Sequence, residues 1–129
     1  KIINDAVAYI QGLAQLRGPD ESALLVVSRY RDWDRQFATL GLVIETLERD
    51  ARGDWRIGLL GGTLIHVGTQ EPDIRLARLL RAYPELESIA APASIDLRYN
   101  HGFAVRWEPT ANSGVRIERL AVNNRQVES

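Results

Sequence analysis

The chain contains no cysteine and no methionine, a single lysine (Lys1) and only two histidines, His66 and His101, in 129 residues. Without cysteine there can be no disulfide framework, no thiolate metal site and no Cys nucleophile. Long apolar runs are missing too: the longest, Ala-Leu-Leu-Val-Val at residues 23–27, falls far short of the roughly 18 residues that cross a bilayer. An excess of charge is also absent. Sixteen Lys and Arg stand against seventeen Asp and Glu, a net charge of −1, so the basic footprint that nucleic-acid phosphates require is lacking.

The signatures of catalysis are equally sparse. His66 and His101 belong to no ligand-spaced set, and no metal site is expected. There is no GxSxG elbow and no GxxxxGK[ST] loop, and Gly58, Gly61 and Gly62 lie at a hairpin instead of leading from a strand into a helix. Asp32 and Asp34 are two apart on a helix and do not face one another. The sequence therefore points to no catalytic residue and no cofactor.

What is present is the composition of one soluble globular domain, 45% hydrophobic and 26% charged. Residues 1–16 hold Val7-Ala8-Tyr9-Ile10, which reads as a short strand. From Asp20, placed as a cap, Ala23, Val26, Tyr30, Trp33, Phe37 and Leu40 recur at helical spacing up to Gly41. Three strands follow, over residues 42–50, 54–60 and 63–67, with Gly61-Gly62 as a two-residue loop between the last two. Pro72 opens a second helix with the apolar stripe Ile74, Ala77, Leu80 and Tyr83, and Pro84 helps to end it. Arg75, Arg78 and Arg81 on this helix are a weak anion signal; an exposed stripe balanced by nearby acids is the commoner arrangement.

Residues 95–99 and 103–107 alternate apolar and charged positions about the turn Asn100-His101-Gly102, forming the best-patterned hairpin of the chain. The order of elements predicts an α+β domain: an antiparallel sheet with two helices packed on one face. A terminal strand at residues 102–107 is an edge that can accept a strand from another chain, with Phe103, Val105 and Trp107 on one face and Ala104 and Arg106 on the other. Equally compatible with the pattern is a purely structural role, in which those apolar residues are core and residues 115–122 seal the edge.

The segment Ile95-Asp96-Leu97-Arg98-Tyr99-Asn100-His101-Gly102-Phe103-Ala104-Val105-Arg106-Trp107 closely resembles the VDLRYxxGxAVxW ending of the periplasmic β domain of the bacterial FtsQ cell-division family. Other landmarks agree in order: Leu16-Arg17-Gly18-Pro19, Tyr30-Arg31, Asp54-Trp55-Arg56-Ile57, Gly62, and Arg75-Leu76-Ala77-Arg78 with Tyr83-Pro84. The resemblance spans roughly residues 13–108. It departs from the family at Gly61-Gly62, which replaces an Asn/Asp-Gly pair, and at Ser94, where an aromatic is common. It implies a domain over residues 1–108 (core 13–108) and an extension over 109–129, partly flexible or an added edge strand.

The resemblance further implies a non-enzymatic interaction domain on the periplasmic side of the inner membrane. Its membrane anchor would lie in a segment absent from this chain, and it would recruit the FtsB–FtsL pair by strand addition at its last β-strand during septum formation. On that basis the partner-binding residues are Arg31, Arg98, Tyr99, His101, Gly102, Phe103, Ala104, Val105, Arg106 and Trp107. Two readings of other classes stand beside it: a small hydrolase with an Asp/His site on the sheet surface, and self-association through the same edge strand.

Overall fold

In the computed structural model, which describes residues 5–10, 14–108 and 118–121, eight strands form one sheet in the order in which they occur in the chain. They are β1 (Asp5–Ile10), β2 (Ala14–Pro19), β3 (Ile44–Arg49), β4 (Trp55–Leu59), β5 (Leu64–Gly68), β6 (Pro92–Tyr99), β7 (Gly102–Trp107) and β8 (Glu118–Ala121). Helix α1 (Ala23–Ala38) lies between β2 and β3, and α2 (Pro72–Glu87) between β5 and β6. Most of the extension expected over residues 109–129, and residues 1–4 and 11–13, lie outside the described residues.

Connection length explains the sheet. Short turns make β3/β4, β4/β5 and β6/β7 antiparallel. Each sixteen-residue helix carries the chain back before the next strand begins, so β2/β3 and β5/β6 are parallel. The α+β architecture is as expected and the sheet is mostly antiparallel; the two parallel joints come from the return path of a helix, to which strand alternation is blind.

Helix α1 buries Val26, Tyr30, Trp33 and Phe37, spaced four, three and four apart. Asp20 is not its cap. It sits in a 3-10 turn, Asp20–Ser22, in which the Ser22 hydroxyl donates to the Pro19 carbonyl at 3.1 Å. The helix closes with Leu42 N–H on the Phe37 carbonyl and Gly41 N–H on that of Ala38, with Gly41 at φ 75° where a side chain is disfavoured.

In α2 the buried face is Arg75, Leu76, Leu79, Tyr83 and Leu86, whereas Ile74 is 54% exposed. The expected stripe is thus rotated about the helix axis, and Pro84 lies inside the last turn, with the helix running on to Glu87. The β4–β5 loop is also one residue longer than expected: Leu60, Gly61 and Gly62 lie between the Leu59 N–H and the Thr63 carbonyl that it donates to.

Both helices share one core with the inward strand residues. Trp33, fully buried, meets Trp55 of β4 edge to face, with ring centroids 5.0 Å apart. Its indole Nε1 donates to Asp73 Oδ1 in the first turn of α2 at 2.7 Å, which joins the helices over the same face of the sheet. An indole N–H buried without a partner is destabilising, so this bond fixes where α2 begins. Trp33→Phe is expected to lower unfolding stability by about 2 kcal/mol, and in urea denaturation its effect should be strongly non-additive with that of Asp73→Ala.

Candidate interaction site

The β6–β7 hairpin is regular from Ser94↔Arg106 to Asp96↔Ala104, slips, and pairs again at Tyr99↔Gly102. Phe103, Val105 and Trp107 point into the core, while Ala104 is half-buried and Arg106 exposed on the other face. Trp107 Nε1 donates to the Ala90 carbonyl at 3.2 Å, which ties the end of β7 to the loop after α2. Of the residues implicated in partner binding, then, the side chains of Phe103, Val105 and Trp107 serve the core and only their backbone is open to pairing. Arg98, Tyr99, Asn100 and His101 are exposed at the start of the hairpin.

The strand expected at the edge of the sheet has a neighbour. Strand β8 pairs antiparallel with β7 in the register Phe103↔Ala121, Ala104↔Leu120, Val105↔Arg119 and Arg106↔Glu118. The last strand of the described residues is therefore β8, and four of the six residues of β7 pair with it.

Arg98 is held by its own strand. Its Nε and Nη2 donate to Asp96 Oδ1 and Oδ2 at 2.9 and 2.8 Å, and its backbone N–H reaches Oδ1 at 3.0 Å. This two-point pairing holds the Asp96 carboxyl below its ordinary range, against the opposing effect of burial, and raises the pKa of Arg98. The stem of Arg98 lies across Gly68: a Cβ there would come within 2.9 Å of Arg98 Cγ, and Gly68 has φ 92°. Arg31 stands apart. It is exposed on α1, which packs on β2 and β3, and no hydrogen bond or ion pair among the described residues joins it to the hairpin.

Arg75 is the residue that sequence reasoning misplaced. Only 8% exposed, it donates from Nη1 to the carbonyls of Leu97 and Tyr99 at 2.6 and 2.7 Å and from Nε to that of Gln70 at 2.9 Å. Pairing between β5 and β6 ends at His66↔Asp96, and beyond it one guanidinium takes two β6 carbonyls that have no β5 residue opposite. These are two residues apart and so on the same side of the strand. Arg78 is half-buried and Arg81 exposed, in keeping with a solvated stripe. Arg52, Asp54, Gly68, Arg75 and Arg98 surround a cleft of about 450 Å³ beside this clamp.

The open face of the sheet carries a cross-strand row of polar residues, Arg17, Glu48, Arg56, His66 and Asp96, that leads to Ala104. His66 Nε2 lies 3.0 Å from Asp54 Oδ2, while Asp54 Oδ1 is buried without a hydrogen-bond partner. This is the geometry of an oriented imidazole, but no hydroxyl among the described residues is hydrogen-bonded to it, although Thr46 and Ser94 line the same cavity of about 470 Å³. His101 lies in the turn, away from this pair. Among the described residues no group of three or more His, Asp or Glu side chains could hold a metal ion.

A family model described as cell division protein FtsQ/DivIB, C-terminal, matches residues 1–98, ending at the penultimate residue of β6. The chain is similar to cell division protein FtsQ of Allochromatium vinosum, with 39% identity over 104 residues that make up 81% of this chain and 42% of the relative. It is 44% identical over 94 residues to that of Xanthomonas campestris pv. campestris (72% of this chain, 34% of the relative). To that of Escherichia coli it is 32% identical over 104 residues (77% and 38%). The chain thus spans about two fifths of the length of the curated relatives it matches.

Two expectations follow. Arg75→Leu strands three carbonyls and should cost about 3 kcal/mol, with hydrogen exchange accelerating first at residues 97–103. A carboxylate whose folded pKa is depressed contributes stability above its unfolded pKa and loses it as pH falls through the folded value. Asp96 should therefore stay ionised below its ordinary 3.8, and in Arg98→Ala its side-chain carbon resonance should titrate at higher pH.

Proposed function

Since the chain belongs to the FtsQ/DivIB family of cell-division proteins through its C-terminal domain, we propose that it is a non-enzymatic docking domain of the division machinery that recruits the FtsB–FtsL pair by strand addition on β7. The family match supports a role in cell division. The finer reading is carried by one observation: β7 turns every large apolar side chain into the core, and so presents its neighbours with backbone and with Ala104 and Arg106. That surface suits main-chain pairing, in which hydrogen bonds supply affinity and flanking side chains supply register.

The flanking groups fit an extended partner that bears carboxylates. Arg98, Tyr99 and His101 are exposed at one end of β7, and Arg31 projects from α1. A guanidinium can take a carboxylate with two hydrogen bonds. Asp96 already occupies two donors of Arg98, so a partner acid must either share that arginine through its outer donors or displace Asp96. The hydrolase reading has less support, because the Asp54–His66 pair lacks a bonded nucleophile. No helix of the described residues is long and apolar enough to cross a membrane. The proposed location on the periplasmic side of the inner membrane, with an anchor elsewhere in the full-length protein, rests on the family resemblance.

The reading is tested by titrating the chain with a synthetic segment of the FtsB periplasmic region in isothermal calorimetry. Arg31→Glu should weaken binding roughly tenfold, more at low salt than at high salt, with no change in thermal midpoint. Trp107→Ala, by contrast, removes a core residue and should lower stability by about 3 kcal/mol. Undiminished affinity in Arg31→Glu removes that arginine from the site, and no binding by the parent chain removes the docking reading.

A further inference from the structure

Resting on that docking reading, we propose that β8 is an internal occupant of the docking edge, a strand that the partner must displace, so that the C-terminal segment sets the apparent affinity of the domain. The pairing itself is the first argument: β8 takes the positions of β7, Phe103 to Arg106, that an added strand would use. Two strands cannot hydrogen-bond to the same edge at once. Occupation by β8 and by a partner are therefore mutually exclusive over those four residues.

Several features make β8 displaceable. Its one strand neighbour among the described residues is β7, and it is four residues long against six for β7. Residues 108–117 separate the two strands, ten residues where antiparallel neighbours are usually joined by two to five. Loop closure becomes roughly threefold less probable with each doubling of length. Opposite the core-facing Phe103 and Val105 stand Ala121 and Arg119, and the one large apolar residue of β8, Leu120, stands opposite Ala104. Those core-facing rows gain no large apolar residue from β8. The strand covers the backbone of β7 over Phe103 to Arg106, which suits a temporary cover of an edge that would otherwise invite unwanted pairing.

The consequence is quantitative. When the competent form is only a fraction of the population, the apparent dissociation constant rises by the inverse of that fraction. The test uses the full chain in two variants. In Arg119→Pro with Leu120→Pro, adjacent amides face opposite sides, so one of the two prolines removes a pairing N–H. In Ala104→Cys with Leu120→Cys, two directly opposed residues receive the only thiols of the chain at a separation that a disulfide can bridge. Tryptophan fluorescence confirms that each is folded, and each is titrated with the same FtsB segment.

The proline variant should bind about tenfold tighter than the parent. The oxidised cysteine variant should bind at least tenfold weaker than the same variant after reduction. Equal affinity in all three forms overturns the exchange while leaving docking in place on another edge or surface. Absence of binding in every form, the proline variant included, overturns the docking reading and the exchange with it.

Discussion

The backbone of β7 must satisfy N–H and C=O groups on both of its sides, and the C-terminal half of the molecule is organised around that obligation. On one side β6 is the partner, and β6 is itself steadied by a device outside the sheet. Where β5 ends, Arg75 reaches in from α2 and its guanidinium replaces the missing strand by binding the Leu97 and Tyr99 carbonyls. A strand end without such a clamp would fray, because carbonyls that are buried and unpaired are destabilising by about 1–3 kcal/mol each. The clamp is also what allows Arg98, Tyr99 and the turn after them to be exposed and yet fixed in position. On the other side of β7 the solution is β8, which pairs with Phe103 to Arg106.

The two solutions differ in permanence. Arg75 is buried and bonded to three carbonyls from two separate stretches of chain, so it belongs to the cooperative core. Strand β8 is joined through a ten-residue connection and has one strand neighbour among the described residues. A domain with one permanent and one exchangeable neighbour for the same strand can remain folded while that strand changes partners. The side chains support this division: Phe103, Val105 and Trp107 anchor β7 inward whatever pairs along its outer edge.

Much of this was legible in the sequence where a residue's role depends on pattern. Residues 95–98 and 103–107 of the hairpin alternate as buried and outward positions do, and the α1 stripe of Val26, Tyr30, Trp33 and Phe37 is that of the buried face. Helix α2 misled because it carries two competing apolar sets. Ile74 and Leu80 fit one stripe and Leu76 and Leu79 another, and the second wins because it is the rotation that brings Arg75 to the β6 carbonyls. Arg75 could not be found from pattern, since its partners are main-chain carbonyls 22 and 24 residues away, and every residue has a carbonyl. Asp96 and Arg98 were visible as charged positions of an alternating strand, but the two-point bond between them was not. Strand β8 stood only as one of two alternatives, a seal by residues 115–122, because Glu118 and Arg119 lie in a segment that alternates only weakly.

The account turns on whether the outer edge of β7 is the surface that a partner uses. Amide hydrogen exchange read residue by residue, with and without a saturating FtsB segment, addresses this directly. Residues 103–106 should keep or gain protection as the segment replaces β8, while the amides of residues 118–121 lose theirs. Unchanged exchange at residues 118–121, with new protection on a surface away from β7, would contradict the account.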